Sequence, residues 1–253
     1  MGLRRKLKRN IRKIRFQVGG GTRFEQDFRS EALVKSLAGF QSQSDISDHV
    51  SSLFYHALAA QPKLIVELGT RGGESTRVLL AVAELTGAKM LSVDIHDCSN
   101  LNLALGTQWE FVQADDVAFA DRFPTWCAER GTIARADVLF LDTSHLYEHT
   151  KRELAAWIPH LADDGTLILH DTNMGKGVYA RLDGSLGIGW NNDRGVIRAV
   201  EEYLGTTYRE DRFFTDVRNG FLVLHFPHSN GLTILKRIPE SHYPAAQLAA
   251  IDV

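Results

Sequence analysis

The sequence predicts an α/β fold: a mostly parallel sheet covered by helices on both faces, finished by an antiparallel hairpin and preceded by a helical extension. From residue 63 onward, short apolar runs alternate with stretches of helical length, the pattern of strand and crossover units. The first run ends in Glu67 and opens directly into a glycine turn, Leu-Gly69-Thr-Arg-Gly72-Gly73. Near the other end, Arg212–Val217 and Gly220–Phe226 are separated only by Arg218-Asn219, a two-residue link that suits an antiparallel pair.

Taken in order, the chain begins with an asymmetric tail. Eight of the 29 basic residues and none of the 31 acidic ones fall in residues 1–16, so the remainder carries a net charge of about −10. Leu3, Leu7, Ile11 and Ile14 recur there at helical spacing, which suits peripheral contact with an anionic membrane surface; the alternative is a solvated basic tail. Two helices are expected over 25–40 and 44–60. The second is announced by Ser44-Asp45-Ile46-Ser47-Asp48 and has Ile46, Val50, Leu53, Phe54 and Leu58 on one side. Then follow strand 63–68, helix 74–86, strand 89–94, a short helix near 100–106, strand 109–113, helix 117–130, strand 136–142, helix 147–161 and strand 165–170. A long connection over 173–193 leads to a helix at 194–204 and the hairpin. Residues 1–60 thus form a basic tail and helical cap, 61–228 the main domain and 229–253 a C-terminal extension.

The glycine turn has the most to say about function. Glycines let the backbone approach a ligand in conformations that a β-carbon disfavours. Ser75 and Thr76 then open a helix whose first amides are unpaired and suited to an anionic group. Asp94 closes the neighbouring strand, Lys89-Met-Leu-Ser-Val-Asp94, where an acid can take both hydroxyls of a ribose. A dinucleotide-dependent oxidoreductase would want G-x-G-x-x-G, whose middle glycine admits a pyrophosphate. Arg71 stands at that position, which opposes the dinucleotide reading and suits a cationic, phosphate-free ligand.

The E-x-G-x-x-x-G pattern from Glu67 to Gly73 resembles the first motif of class I S-adenosylmethionine-dependent methyltransferases. A parallel sheet closed by an antiparallel hairpin is likewise similar to their seven-stranded, Rossmann-like fold, over roughly residues 60–226. The resemblance implies S-adenosylmethionine as cofactor, held by Glu67, Gly69, Thr70, Arg71, Gly73, Ser75, Asp94, Ile95 and Asp115. Asp115, in Phe111-Val-Gln113-Ala-Asp115-Asp116, would face the adenine amino group; alternatively, Asp115 or Asp116 caps the helix that follows.

The fourth strand ends in Asp142-Thr-Ser-His145-Leu-Tyr147 and the fifth in His170-Asp171-Thr172. This D-x-x-H-x-Y pattern resembles a small-molecule O-methyltransferase group that includes cephalosporin hydroxylase-like proteins and macrolide-sugar methyltransferases. It implies transfer of a methyl group to a hydroxyl of a sugar or natural-product scaffold. Asp142 and His145 are the candidate catalytic residues, His145 as general base because an ordinary imidazole accepts a proton near neutrality. Its alternative role is to orient Asp142 or cap the next helix. In metal-dependent members an acid of the fourth strand and an acidic pair of the fifth hold a divalent cation. Here Asp142, His170 and Asp171 would form that set, because adjacent strands lie about 4.8 Å apart. His170 departs from the acidic pair, which disfavours magnesium and favours a transition metal; otherwise it is a core histidine. A metal-independent methyltransferase with a protein base and a non-catalytic cofactor-binding accessory protein are the other readings.

DNA amino-methyltransferases carry a proline-rich turn after the fourth strand, and no proline stands there, so nucleic acid is disfavoured as a partner. The long connection at 173–193, with Tyr179, Arg181 and Trp190 among glycines, suits a lid or acceptor-binding loop. No apolar run reaches the roughly 20 residues of a membrane span. The N-terminus lacks the apolar stretch of a signal peptide, and Cys98 and Cys127 are too few for a disulfide framework. A cytoplasmic homo-oligomer with a small-molecule acceptor is the expected setting.

Overall fold

The computed structural model describes residues 32–33, 44–101, 103, 108–175 and 177–239. The basic tail, nearly all of the helix expected at 25–40, most of the short helix near 100–106 and the chain from 240 onward lie outside the described residues. A 3₁₀ turn, Ile46–His49, leads into α1 (Val50–Ala59). The alternation then runs β1 (Leu64–Leu68), α2 (Glu74–Thr86), β2 (Lys89–Asp94), β3 (Trp109–Gln113), α3 (Asp116–Glu129), β4 (Ala136–Leu141), α4 (Tyr147–Trp157) and β5 (Leu161–His170). Two short strands, β6 (Val178–Ala180) and β7 (Leu186–Ile188), precede α5 (Gly195–Leu204). The chain continues through β8 (Phe214–Arg218), β9 (Phe221–Phe226) and β10 (Leu232–Arg237).

The main sheet has the order β3-β2-β1-β4-β5-β10-β9-β8, with β1 to β5 parallel and β8 to β10 antiparallel. All five residues of β1 are buried, as expected for a strand covered on both faces. Its alternate side chains feed two cores. Leu64, Val66 and Leu68 join Phe119, Phe123 and Trp157 from α3 and α4, whereas Ile65 joins α1 and α2 through Leu53, Phe54 and Leu79. The strand order reverses between β1 and β4, so a crevice opens at the carboxyl ends of these two strands. Among the described residues no helix is long and apolar enough to cross a membrane.

Three differences from the sequence reading stand out. The sheet has eight strands rather than seven, because Leu232–Arg237 is not part of an extension. It inserts between β5 and β9, pairing Leu232 with His170 and Leu235 with both Leu167 and Val223. The boundary drawn at 228 therefore cuts through the sheet; the Asn230-Gly231 turn, with φ values of 70° and 87°, continues the chain into another strand. β5 also begins earlier than residue 165, with an irregularity opposite Ala136/Val138. Finally, the connection at 173–193 contains an antiparallel hairpin, Val178 pairing with Ile188 and Ala180 with Leu186.

Candidate active site

The cofactor half is built around the turn after β1. Gly69 has φ +87°, and a β-carbon there would lie 2.0 Å from the carbonyl oxygen of Asp142. The turn and the end of β4 are therefore in backbone contact. Gly73, at φ +74°, starts α2 without a side-chain cap, which leaves the first amides of the helix for a ligand's anionic group.

Glu67 lies beneath this turn rather than at its surface. It is fully buried and accepts hydrogen bonds from Ser75 Oγ (2.7 Å), Thr76 Oγ1 (2.8 Å) and Ser92 Oγ (2.6 Å). Two residues expected to touch the cofactor, Glu67 and Ser75, thus engage each other and hold the turn from below. Burial pushes the Glu67 carboxyl up to about 7, against the opposing pull of the three hydroxyls. A carboxyl whose folded value lies above its ordinary 4.5 makes the folded state bind more protons than the unfolded one. Its contribution is fully present at low pH and is lost as pH rises through about 7. Between pH 5 and 8 the stability of Glu67→Gln relative to the parent should therefore shift toward the variant by about 2–3 kcal/mol in denaturant titrations. A pH-independent difference would show that Glu67 is ionised at no cost.

Asp94 sits at the end of β2 and binds the same turn. Its Oδ2 accepts the amides of Thr70 (2.8 Å) and Arg71 (3.0 Å), and its Oδ1 accepts that of His96 (2.8 Å). Burial works against its charge, but the amides of Arg71, His96 and Thr70 outweigh it and keep the carboxyl below its ordinary value. Thr70 is buried, and Ile95 is 64% exposed beside Asp94, an apolar surface of the kind a nucleoside ring covers. Asp115 caps α3 through the amide of Ala118 (2.8 Å), so the capping role holds, and it is exposed at the same rim. These features fit a nucleoside cofactor with an amino acid end: an uncapped helix start, a turn that tolerates no β-carbon, an ionised acid and an exposed isoleucine.

Beside it, β4 and β5 bring together Asp142, His145, His170 and Asp171. His145 Nε2 lies 3.0 Å from Asp142 Oδ1 and 2.9 Å from Asp171 Oδ2. His170 Nδ1 lies 3.5 Å and 3.4 Å from the same two oxygens. His145 and Asp171 both have positive φ, 58° and 56°, a backbone strain often found where a site fixes its geometry. The expected metal set is thus assembled, but His145 Nε2 stands between the two carboxylates.

The electrostatics change the expected role of His145. Burial disfavours its charge, yet the hydrogen bonds and charges of Asp142 and Asp171 outweigh burial and raise it to about 10. Asp142 is held well below the carboxylate range: burial opposes its charge, but His170 and His145 prevail. His145 therefore rests protonated near neutrality, whereas its assignment as a base assumed an ordinary imidazole. His170 is also drawn toward its charged form, with burial outweighed by Asp171 and Asp142.

The acceptor-side connection packs on this cluster. The Asn192 amide donates to the His145 carbonyl (3.0 Å), and the Trp190 ring lies 5.7 Å from the His145 ring while remaining 48% exposed. Tyr147 instead donates to Glu202 on α5, away from the cluster. Sequence reasoning missed Asp45 and His49, which come from the helical cap. Asp45 lies within ligand distance of His170 and Asp171, and the His49 ring stands edge-on to His170 at 5.4 Å. Nothing in Ser44-Asp45-Ile46 signals this beyond a helix cap. Asp116, His149 and Glu153 form a further group, joined to the site by the Thr143 hydroxyl, which donates to Glu153 (2.7 Å).

A turn, an acid and a polar cluster thus lie together at the carboxyl ends of adjacent parallel strands. Residues 66–172 match the model of a methyltransferase domain family. Among solved structures it is similar to cofactor-bound Rv0187 from MTB, at 14% identity and TM-score 0.55, over 92% of this chain and 97% of that one. The O-methyltransferase from Bacillus cereus in complex with SAH aligns at 13% identity and TM-score 0.52, over 92% and 97%. MycE, a methyltransferase of the mycinamycin biosynthetic pathway seen with Mg, SAH and mycinamycin VI, aligns at 18% identity and TM-score 0.51, over 86% of this chain and 57% of MycE. At these identities the likeness is one of fold. No curated protein sequence matches the chain.

Proposed function

We propose that the protein transfers a methyl group from S-adenosylmethionine to a hydroxyl of a small molecule, a sugar or natural-product scaffold. The observation that carries this reading is the contact between the Gly69 turn and the end of β4, which sets the cofactor half against Asp142 and His145. The fold the protein shares with MycE, seen with SAH and mycinamycin VI, and with the O-methyltransferase from Bacillus cereus supports it.

The bound cofactor supplies an electrophilic methyl group on a sulfonium. The chain supplies alignment and proton handling. The start of α2 and the 69–73 turn hold the amino acid end, Asp94 the ribose, and Ile95 and Asp115 the base. His145 keeps a proton on Nε2 against Asp142 and Asp171; its resting Nδ1 proton passes first to solvent, Nδ1 then takes the hydroxyl's proton, and the two carboxylates stabilise the resulting imidazolium. Trp190 bounds the acceptor side and excludes water.

The cofactor assignment is tested by thermal stabilisation. S-adenosylhomocysteine at 100 times its dissociation constant should add about 2.7 kcal/mol, and NAD should add nothing; stabilisation by NAD alone would end this reading. The acceptor class is tested by supplying hydroxylated sugars and aglycones with the cofactor and following S-adenosylhomocysteine release; methylation of an amine in preference to every hydroxyl would overturn it.

A further inference from the structure

Two groups of potential metal ligands meet at Asp171. One adds Asp142 and His145, the other Asp45 and His170, and in each the three donor atoms lie within 4.8 Å of one another. They differ in what is already satisfied. In the first, His145 Nε2 fills the gap with bonds of 3.0 and 2.9 Å to the two carboxylates, and the nitrogen left unpartnered, Nδ1, is the one not engaged there. In the second, His170 is 2% exposed and its Nε2 has no hydrogen-bond partner, while its Nδ1 lies 3.5 and 3.4 Å from Asp142 Oδ1 and Asp171 Oδ2; Asp171 Oδ1 is buried and without a partner. Buried polar atoms are nearly always paired, because an unpaired one loses its water with nothing in return. Two orphaned atoms on neighbouring side chains, His170 Nε2 and Asp171 Oδ1, point to a ligand that both share.

Asp45 supplies the remaining charge. It caps the 3₁₀ turn at Ile46–His49, its Oδ1 accepting the Ile46 amide (3.0 Å) and its Oδ2 the Asn230 amide (3.0 Å). Each oxygen keeps a further lone pair, and such outer donors are what fix a ligating carboxylate. His49 completes the wall: its Nε2 lies 2.7 Å from the His228 carbonyl, and its ring stands edge-on to His170.

We propose that Asp45, His170 and Asp171 hold a transition-metal ion, and that Asp142 and His145 remain outside it as the proton-handling pair. Two carboxylates and an imidazole suit manganese, iron, cobalt, nickel or zinc better than magnesium, which prefers oxygen alone. Asp45 restores the carboxylate that His170 replaces in the fifth-strand pair. The helical cap is then part of the site rather than a cover over it.

Calorimetric titration of the full chain with Co²⁺, with Mg²⁺ as comparator, tests this. One Co²⁺ per chain is expected, with Mg²⁺ at least about tenfold weaker. Asp45→Asn should weaken Co²⁺ by about tenfold or more, whereas His145→Gln should leave it within about threefold or tighten it, because it frees two carboxylate oxygens. Loss of Co²⁺ in His145→Gln with full affinity in Asp45→Asn would place the ion between Asp142 and Asp171 and overturn the proposal. Absence of Co²⁺ binding, or a preference for Mg²⁺, would do the same. Should Asp45→Asn not fold, histidine ring nitrogens in the unmodified chain decide: Zn²⁺ should shift a nitrogen of His170 and spare His145, and the reverse pattern refutes the assignment. Binding of S-adenosylhomocysteine is measured separately, so the cofactor reading stands or falls on its own.

Discussion

Replacing Gly69 with alanine is expected to destabilise the protein by at least about 3 kcal/mol and to weaken S-adenosylhomocysteine by about tenfold or more. Two costs combine. The residue would hold a side chain at φ +87°, and its β-carbon would overlap the Asp142 carbonyl oxygen at 2.0 Å. Neither neighbour can yield cheaply, since the Asp142 amide is bonded to the Leu68 carbonyl (2.9 Å) and that of Gly69 to the Val93 carbonyl (2.8 Å). The turn must therefore move away from β4, taking with it the amides that Asp94 binds. In a chain of this size the melting temperature should fall by roughly 6–12 °C. An alanine variant with parental melting temperature and S-adenosylhomocysteine affinity would show that the contact between the halves does not matter.

The second large effect is on turnover. Asp142→Asn should lower kcat by about 10²–10⁴-fold while S-adenosylhomocysteine affinity changes less than about threefold. The backbone of residue 142 keeps its bond to Leu68, so the cofactor half is undisturbed. What changes is the charge beside His145 Nε2, now shared between Asp142 and Asp171. The imidazolium formed when the acceptor loses its proton would have one carboxylate instead of two. Single-turnover measurements at saturating cofactor separate this from slow product release. A kcat within about threefold of the parent would remove Asp142 from the chemistry.

What could be read from the sequence, and what could not, follows physical lines. The strands were legible because β1, β2 and β4 are apolar runs buried on both faces, and the glycine turn because Gly69 and Gly73 adopt conformations that favour glycine. The placement of Asp142, His145, His170 and Asp171 at one rim followed from the strand ends alone. The state of His145 did not follow, since it depends on two carboxylates from different strands meeting one nitrogen. Glu67 and Ser75 fit a ligand-binding motif, yet their bond to each other becomes visible only when the helix lies over the strand. Asp45 gave no signal because its approach to His170 is a long-range contact made by the helical cap. β10 was missed because Leu232-Thr-Ile-Leu235 is short and follows Pro227-His-Ser-Asn-Gly231, which reads as the end of a domain.

The position of β10 gives the protein a clock. Among the described strands it is the last to be synthesised, yet it occupies the interior of the sheet, with Leu232 opposite His170 and the Gly231 carbonyl accepting the Thr172 amide. Until it emerges, β5 has an open edge at His170, and β8 and β9 have no sheet to join. The glycine turn, by contrast, lies on strands made early. A nascent chain can thus shape its glycine turn before the cluster of Asp142, His145, His170 and Asp171 is complete, and completion of the second waits on a few residues of β10. A chain stopped at residue 228 would keep the four earlier parallel strands complete, leave the fifth unpaired at an aggregation-prone edge and lose the buttress behind His170 and Asp171.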